Sequence, residues 1–293
     1  MSKFLLYKIS FIASLTLVGV DGYGTVLVDK TTGGVFTKNS VRDSHGRQVD
    51  YYLANSKLTD KPLILFVQGS GCLSNFTKIG GEIRGYQNYV LRSVKNSARV
   101  LVVEKPGVKL FDVNEKPGTA IGCNKEFLRE HTLERWSEAN LAAIKEVISD
   151  SKTPILVIGH SEGGMVSAFL AKIDSRISHI ALLGTAVGNN LFSSIYLGKK
   201  SKQGFEGMHY DELVIKWKDI VTDKDSISKF AWGHPYKRMA SFVKFRTYDL
   251  LGASQAKLFI GHGTKDSSSA IEVFDLLVSE LAYRMNNLFY IFL

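Results

Sequence analysis

The strongest chemical signal in the sequence is the run Ile155-Leu156-Val157-Ile158-Gly159-His160-Ser161-Glu162-Gly163-Gly164-Met165. An apolar, strand-like stretch enters a Gly-x-Ser-x-Gly pattern and a helix-forming stretch leaves it. Gly159 and Gly163 leave room for a tight strand-to-helix turn, which would lift the Ser161 hydroxyl clear of the backbone. A serine held in this way can attack an acyl carbon and form a covalent acyl intermediate. The start of the following helix aims amide hydrogens at the negative charge that develops on the attacked carbonyl. The plainer alternative is an ordinary surface turn.

An attacked carbonyl needs two donors for its oxygen. The backbone N–H of Glu162, directly after the serine, is the first expected donor. The second should come from the loop after an early central strand, and Gln68-Gly69-Ser70-Gly71-Cys72 stands there. The N–H of Ser70 is the first choice and that of Gly71 the alternative.

These loops require a sheet whose strand ends share one rim. Leu63 to Val67 is apolar throughout, as a strand covered on both faces must be. Arg99 to Glu104, Pro154 to Ile158, Ile177 to Leu183 and Lys257 to Ile260 repeat the pattern. Gly24 to Asp29 and Gln48 to Ala54 also have strand character, with a hairpin turn at Ser44-His45-Gly46. Helices are expected at Glu82 to Val94, Gly163 to Ile173 and Ala270 to Met285. The clearest runs from Thr132 to Ile148, with an apolar stripe of Leu133, Trp136, Ala139, Ala143, Ile144 and Val147. Strands alternating with helices predict a three-layer α/β fold with a mostly parallel central sheet. Residues 186–256 show no buried parallel strand but carry Tyr210, Trp217, Trp232, Tyr236 and Phe242. That interval is expected to be a helical lid over the strand ends, the alternative being core helices joined by long loops.

With the elbow, the glycine loop and Gly261-His262-Gly263-Thr264-Lys265-Asp266, the chain resembles the α/β-hydrolase superfamily from about Lys61 onward. The likeness is to serine esterases and to prolyl-oligopeptidase-like or serine-aminopeptidase-like peptidases. Gln68 departs from the histidine that many members carry in the loop motif. The resemblance implies that Ser161 and Asp266 are catalytic, Asp266 orienting an imidazole; capping of the next helix is the other reading of Asp266. It also implies a histidine base after the last strand. The segment Leu288-Phe289-Tyr290-Ile291-Phe292-Leu293 reads as that strand, and no histidine follows Asp266. The seven histidines stand at 45, 131, 160, 179, 209, 234 and 262. The expectation is therefore a chain truncated before its catalytic histidine, with a catalytically inactive binding or scaffold protein as the alternative.

Composition is that of an ordinary globular protein: 293 residues, 45% hydrophobic and 22% charged, with a formal net charge of +9. The basic residues are scattered, which argues against a nucleic-acid partner. Residues 1–22 combine Lys3 and Lys8 with an apolar run from Ile9 to Val20, which fits an export signal and a periplasmic or secreted protein. An apolar N-terminal helix or strand in a cytoplasmic protein is the alternative. The run is too short and interrupted for a stable membrane span. Residues 23–293 then form the hydrolase domain. Cys72 and Cys123 are the only cysteines and are candidates for a disulfide in an oxidising compartment. Their spacing is not that of a zinc site, so no metal is expected, and serine acyl transfer needs no cofactor. Asn75-Phe76-Thr77 matches a glycosylation acceptor. The expected partner is a small ester or peptide substrate; the composition leaves the oligomeric state open.

Overall fold

A computed structural model describes residues 25–30, 33–150, 152–185, 190–264, 266, 271–282 and 288–292. The expected export signal at 1–22 lies outside them. The chain begins with three antiparallel strands, β1 (Val26–Asp29), β2 (Gly34–Arg42) and β3 (Gln48–Ala54). The apolar run 63–67 is β4 (Leu63–Val67), followed by a small hairpin, β5 (Thr77–Ile79) and β6 (Glu82–Arg84), and then helix α1 (Gln87–Val94). Next come β7 (Arg99–Val103), α2 (Lys125–Glu130), α3 (Leu133–Val147), β8 (Ile155–His160), α4 (Glu162–Ile173) and β9 (Ile177–Leu183). Helices α5 (Asn190–Lys200) and α6 (Tyr210–Thr222) follow, then the two-residue strands β10 (Phe230–Ala231) and β11 (His234–Pro235), then α7 (Tyr236–Val243) and α8 (Thr247–Gly252). Strand β12 (Lys257–His262), α9 (Ile271–Ala282) and β13 (Leu288–Phe292) complete the order.

The main sheet has nine strands in the order β1-β2-β3-β7-β4-β8-β9-β12-β13. From β7 to β13 all neighbours are parallel, while β1, β2 and β3 add an antiparallel edge. Helices flank the sheet in a three-layer α/β arrangement. Every residue of β4 and β7 is buried, which is why these segments show no polar alternation. Trp136, Ala139, Ala143 and Ile144 of α3 join Val166 and Leu170 of α4 in the larger core, against Leu65, Val157 and Ile180 of the sheet. Thr132 caps α3 by accepting from the Arg135 N–H.

Register brings the rim together. Val67 lies opposite Gly159, His160 opposite Leu183, and Leu183 opposite Gly261. The ends of β4, β8, β9 and β12 are thus level, and the loops leaving them share one edge.

The helix expected from Glu82 begins only at Gln87. Gly80 and Gly81 both take positive φ, at 59° and 81°, and turn β5 back on β6. Gly85 cannot carry a side chain, because a β-carbon there would meet the Asn75 carbonyl oxygen at 2.6 Å. Residues 82–84, the start of the expected helix, instead pair as a strand with Thr77–Ile79. Residues 190–252 hold four helices and one short hairpin. Trp217, Ile220, Tyr236 and Met239 make a core of their own there, and Trp217 donates its indole N–H to Ser194 Oγ at 2.8 Å. Among the described residues, no helix is long and apolar enough to cross a membrane.

Candidate functional site

Ser161 joins β8 to α4 at φ 54° and ψ −123°, a conformation that costs energy in any residue but glycine. The surroundings hold it there. Its N–H donates to the Leu183 carbonyl at 2.9 Å and its carbonyl accepts from the Gly164 N–H at 3.0 Å. The flanking glycines are required sterically. A β-carbon on Gly159 would approach the Gly163 carbonyl oxygen to 2.5 Å, and one on Gly163 would meet the Val67 and Gln68 carbonyl oxygens at 2.3 and 2.4 Å. The spacing of the motif therefore reflects contact between the elbow and the end of β4.

The loop after β4 lies against the serine. A β-carbon at Gly69 would sit 3.1 Å from Ser161 Cβ, 3.5 Å from its Oγ and 3.4 Å from His160 Nδ1. Ser70 Oγ donates to the Gly118 carbonyl at 3.0 Å. Gly71 takes φ 86°, and its carbonyl accepts from the buried Lys105 Nζ at 2.8 Å. Cys72 is joined by a disulfide to Cys123, with Cα atoms 5.9 Å apart. The loop is thus tied from below by Lys105 and from the side by the segment 117–124.

Glu162 is the first residue of α4, so its N–H has no acceptor inside the helix. Its side chain turns inward. Arg238 of α7 places Nη2 at 2.6 Å from Oε2 and Nε at 3.2 Å from Oε1, and both side chains are buried. His131 Nε2 lies 3.3 Å from Oε1. Burial keeps His131 neutral well below its ordinary titration range, and the nearby Arg238 and Lys105 charges act in the same direction. His234 is pushed down to about 3, first by burial and then by Arg238, although Glu162 and a hydrogen bond to the Gly118 backbone oppose the shift. Burial likewise lowers Lys105, against the pull of Glu162 and Glu104, and raises Glu104. Sequence reasoning missed Lys105, His131 and Arg238: each is a lone polar residue without a motif, 57, 31 and 76 residues from Glu162 in sequence.

Asp266 lies at the neighbouring strand end. Its N–H closes a turn onto the Gly263 carbonyl at 3.0 Å, and its Oδ2 is 3.7 Å from where a Gly184 β-carbon would be. His262 Nε2 is 4.0 Å from that Oδ2, and the His262 ring is buried and stacked on Phe274. His160 faces the same cavity as Ser161. Burial lowers its pKa, and the Asp266 charge partly restores it. His209 caps α6, and its N–H donates to Glu212. Strand ends thus bring Ser161, His160 and Asp266 to one edge, while His209 and His234 are committed elsewhere.

Ser161 opens into a cavity of about 570 Å³ bordered by Gly69, Ser70, Leu73, Tyr89, His160 and Leu183 among others. None of its described lining residues comes from 190–252. The interval does hold the elbow from behind, through Arg238, and the side loop, where the Ala120 N–H donates to the Gly233 carbonyl at 2.7 Å. Among the described residues, no cluster of three or more His, Cys, Asp or Glu could hold a metal ion.

No protein-family model matches the sequence, and no curated protein matches it. Solved structures do share its fold. An acylaminoacyl peptidase from Pyrococcus horikoshii superposes with a TM-score of 0.58 at 14% identity, over 88% of this chain and 36% of that protein. The chain thus spans about a third of the length of that peptidase. A Pyrococcus furiosus esterase gives a TM-score of 0.56 at 11% identity, over 92% of this chain and 89% of the esterase. An α/β hydrolase from a Penicillium species gives 0.56 at 9% identity, over 88% and 89%. At such low identity the likeness concerns the fold alone, a three-layer α/β arrangement that this chain shares with these structures.

Proposed function

We propose that the site is built for serine-dependent acyl hydrolysis of carboxylic esters or short peptides. The observation that carries the reading is Ser161 itself, held at φ 54° between a strand and a helix, under Gly69 and open to the cavity. In the proposed reaction Ser161 Oγ attacks the carbonyl carbon and loses its proton to a base. The N–H groups of Glu162 and Ser70, with Gly71 as the alternative to Ser70, hold the oxyanion. The base returns the proton to the leaving group, and water then releases the acid. Asp266 is the group proposed to orient and stabilise the protonated imidazole. The similar structures include both a peptidase and an esterase, so the fold does not choose between amide and ester.

The reaction needs an imidazole, and residues 267–293 contain none. Without a base beside Ser161 the site would keep its oxyanion donors and lose the proton relay. The second reading is a silent hydrolase-fold protein that binds a ligand without turnover, and the same sequence fact favours it. A serine-directed fluorophosphonate, read by mass spectrometry, separates the two. It is applied to this chain, to Ser161→Ala, and to the chain continued through its natural reading frame beyond Leu293. Labelling at Ser161 that disappears in Ser161→Ala supports the hydrolase reading. No labelling in either wild-type form, with ligand binding unaffected by Ser161→Ala, supports the silent one.

A further inference from the structure

A second cleft adjoins the first. The cavity holding Ser161 is bordered by Leu73, Tyr86 and Tyr89. The same residues border a second cleft of about 390 Å³, between the β5–β6 hairpin and the start of α1, where Thr77, Ile79 and Arg84 form the far side. Gln68 borders both as well. The two clefts are therefore neighbours, with Gln68, Leu73 and the two tyrosines at the start of α1 as their common border.

Three features say what would lie in these clefts. Tyr86, Tyr89 and Ile79 are 73%, 65% and 55% exposed, an unusual cost for three large apolar groups in one place unless something covers them. Tyrosine rings supply broad, stiff contact area at little cost in side-chain entropy. The charges of the far cleft are already engaged: Arg84 pairs with Glu82 at 3.0 Å, and Asp29 accepts from Asn88 Nδ2 at 2.6 Å. With those charges engaged, the far cleft suits an uncharged apolar tail better than a charged headgroup.

We propose that the two clefts form one acyl-binding track, which takes an extended apolar acyl chain from Ser161 across Tyr86 and Tyr89 into the pocket at Ile79. The substrate class is then esters or amides of medium-to-long apolar acids, in preference to acetyl esters or small aminoacyl groups. The placement of the carbonyl carbon at Ser161 rests on the function proposed above; the track itself does not. Only its inner end needs the serine.

Binding of straight-chain carboxylates, the acid products of such a reaction, tests the track without requiring turnover. Isothermal titration with the four- to twelve-carbon acids, below micellar concentrations, is run on the full chain, on Ser161→Ala, and on Ile79→Glu and Tyr89→Ser. Affinity is expected to rise by about fourfold per methylene up to at least the ten-carbon acid. Ile79→Glu and Tyr89→Ser should each weaken the ten-carbon acid by about fifteenfold, roughly two methylenes' worth of burial, and Ile79→Glu, which borders only the far cleft, should leave the four-carbon acid unchanged. Both positions are exposed, so circular dichroism should show the wild-type fold. Affinity that stops rising after four carbons, or a ten-carbon acid bound equally well by Ile79→Glu, overturns the proposal. Chain-length-dependent binding combined with no fluorophosphonate labelling at Ser161 would keep the track and remove the hydrolase reading.

Discussion

Behind the elbow, Glu162, Arg238, His131 and Lys105 are buried and bound to one another or to the Gly71 carbonyl. In front of it, Tyr86 and Tyr89 stand largely in solvent beside an open apolar cleft. Both regions adjoin one serine, the first through Glu162 and the second through the shared cavity, and they solve different problems. A buried ion pair contributes little net stability, since desolvation offsets attraction, but it tolerates few arrangements. It therefore suits the side that must fix the Glu162 amide and the 69–72 loop. An apolar surface is undemanding about geometry and suits the side that meets a ligand. The comparison also explains the place of residues 190–252: through Arg238 they serve the rigid side, while Trp217, Trp232 and Tyr236 fill a core of their own and Phe242 joins the main one.

The contrast can be broken most severely at Arg238. Arg238→Ala leaves the Glu162 carboxylate buried without its main partner. It should cost about 3–5 kcal/mol of unfolding free energy, measured by urea titration. Arg238→Met combined with Glu162→Gln should recover most of that loss, because no isolated charge is left. A double variant as unstable as Arg238→Ala would show that packing, and not charge, holds α7 to the elbow.

Removing the disulfide by Cys72→Ser with Cys123→Ser should cost about 2–4 kcal/mol, since it closes a loop with a sequence separation of 51. The loop 68–72 should also loosen, which hydrogen exchange at Ser70 and Gly71 would report. Unchanged exchange there would mean that Lys105 and the Ser70–Gly118 hydrogen bond hold the loop without the disulfide.

Acid should act on the rigid side only. His234 has a folded-state pKa of about 3, below its ordinary value, because of burial and the Arg238 charge. His131 is shifted the same way by burial, Arg238 and Lys105. A histidine whose folded pKa is depressed contributes its full stability above the unfolded value. It loses that contribution as pH falls toward the folded value, because the unfolded chain takes up the proton first. Between pH 7 and pH 5 His234 should remove about 2 kcal/mol, with a further loss from His131. His234→Gln should flatten part of that slope in denaturation curves taken across this range. A slope unaltered by the substitution would count against a buried neutral imidazole at 234.

The open side should be nearly indifferent. Tyr86→Ser and Tyr89→Ser are expected to change stability by no more than about 0.5 kcal/mol, because both rings are exposed in the unliganded protein. A loss above about 1.5 kcal/mol at either position would place that tyrosine in the structural core and weaken its role as ligand wall.

The elbow was readable in the sequence because two glycines must flank a serine at positive φ, and a continuous apolar strand must lead into it. The sheet was readable for a related reason: strands covered on both faces leave unbroken apolar runs at 63–67, 100–103 and 155–158. Strand ends gave the level of Asp266, since Gly261 pairs with Leu183 and Leu183 with His160. Strand β6 falls inside the helix expected from Glu82, because three residues are too short to show alternation. Tyr86 and Tyr89, which no periodicity marks, border the cavity.

The sequence by itself determined a doubly covered parallel sheet, a serine forced onto a turn, and a glycine loop to meet it, because those features depend on local sterics and on burial along each segment. Only the tertiary structure decided that Arg238, His131 and Lys105 converge behind Glu162, and that the tyrosines of α1 flank the cavity in front. Those residues come from separate elements, and their meeting depends on strand order and helix packing. Single polar or aromatic residues carry no trace of that meeting until the chain is folded.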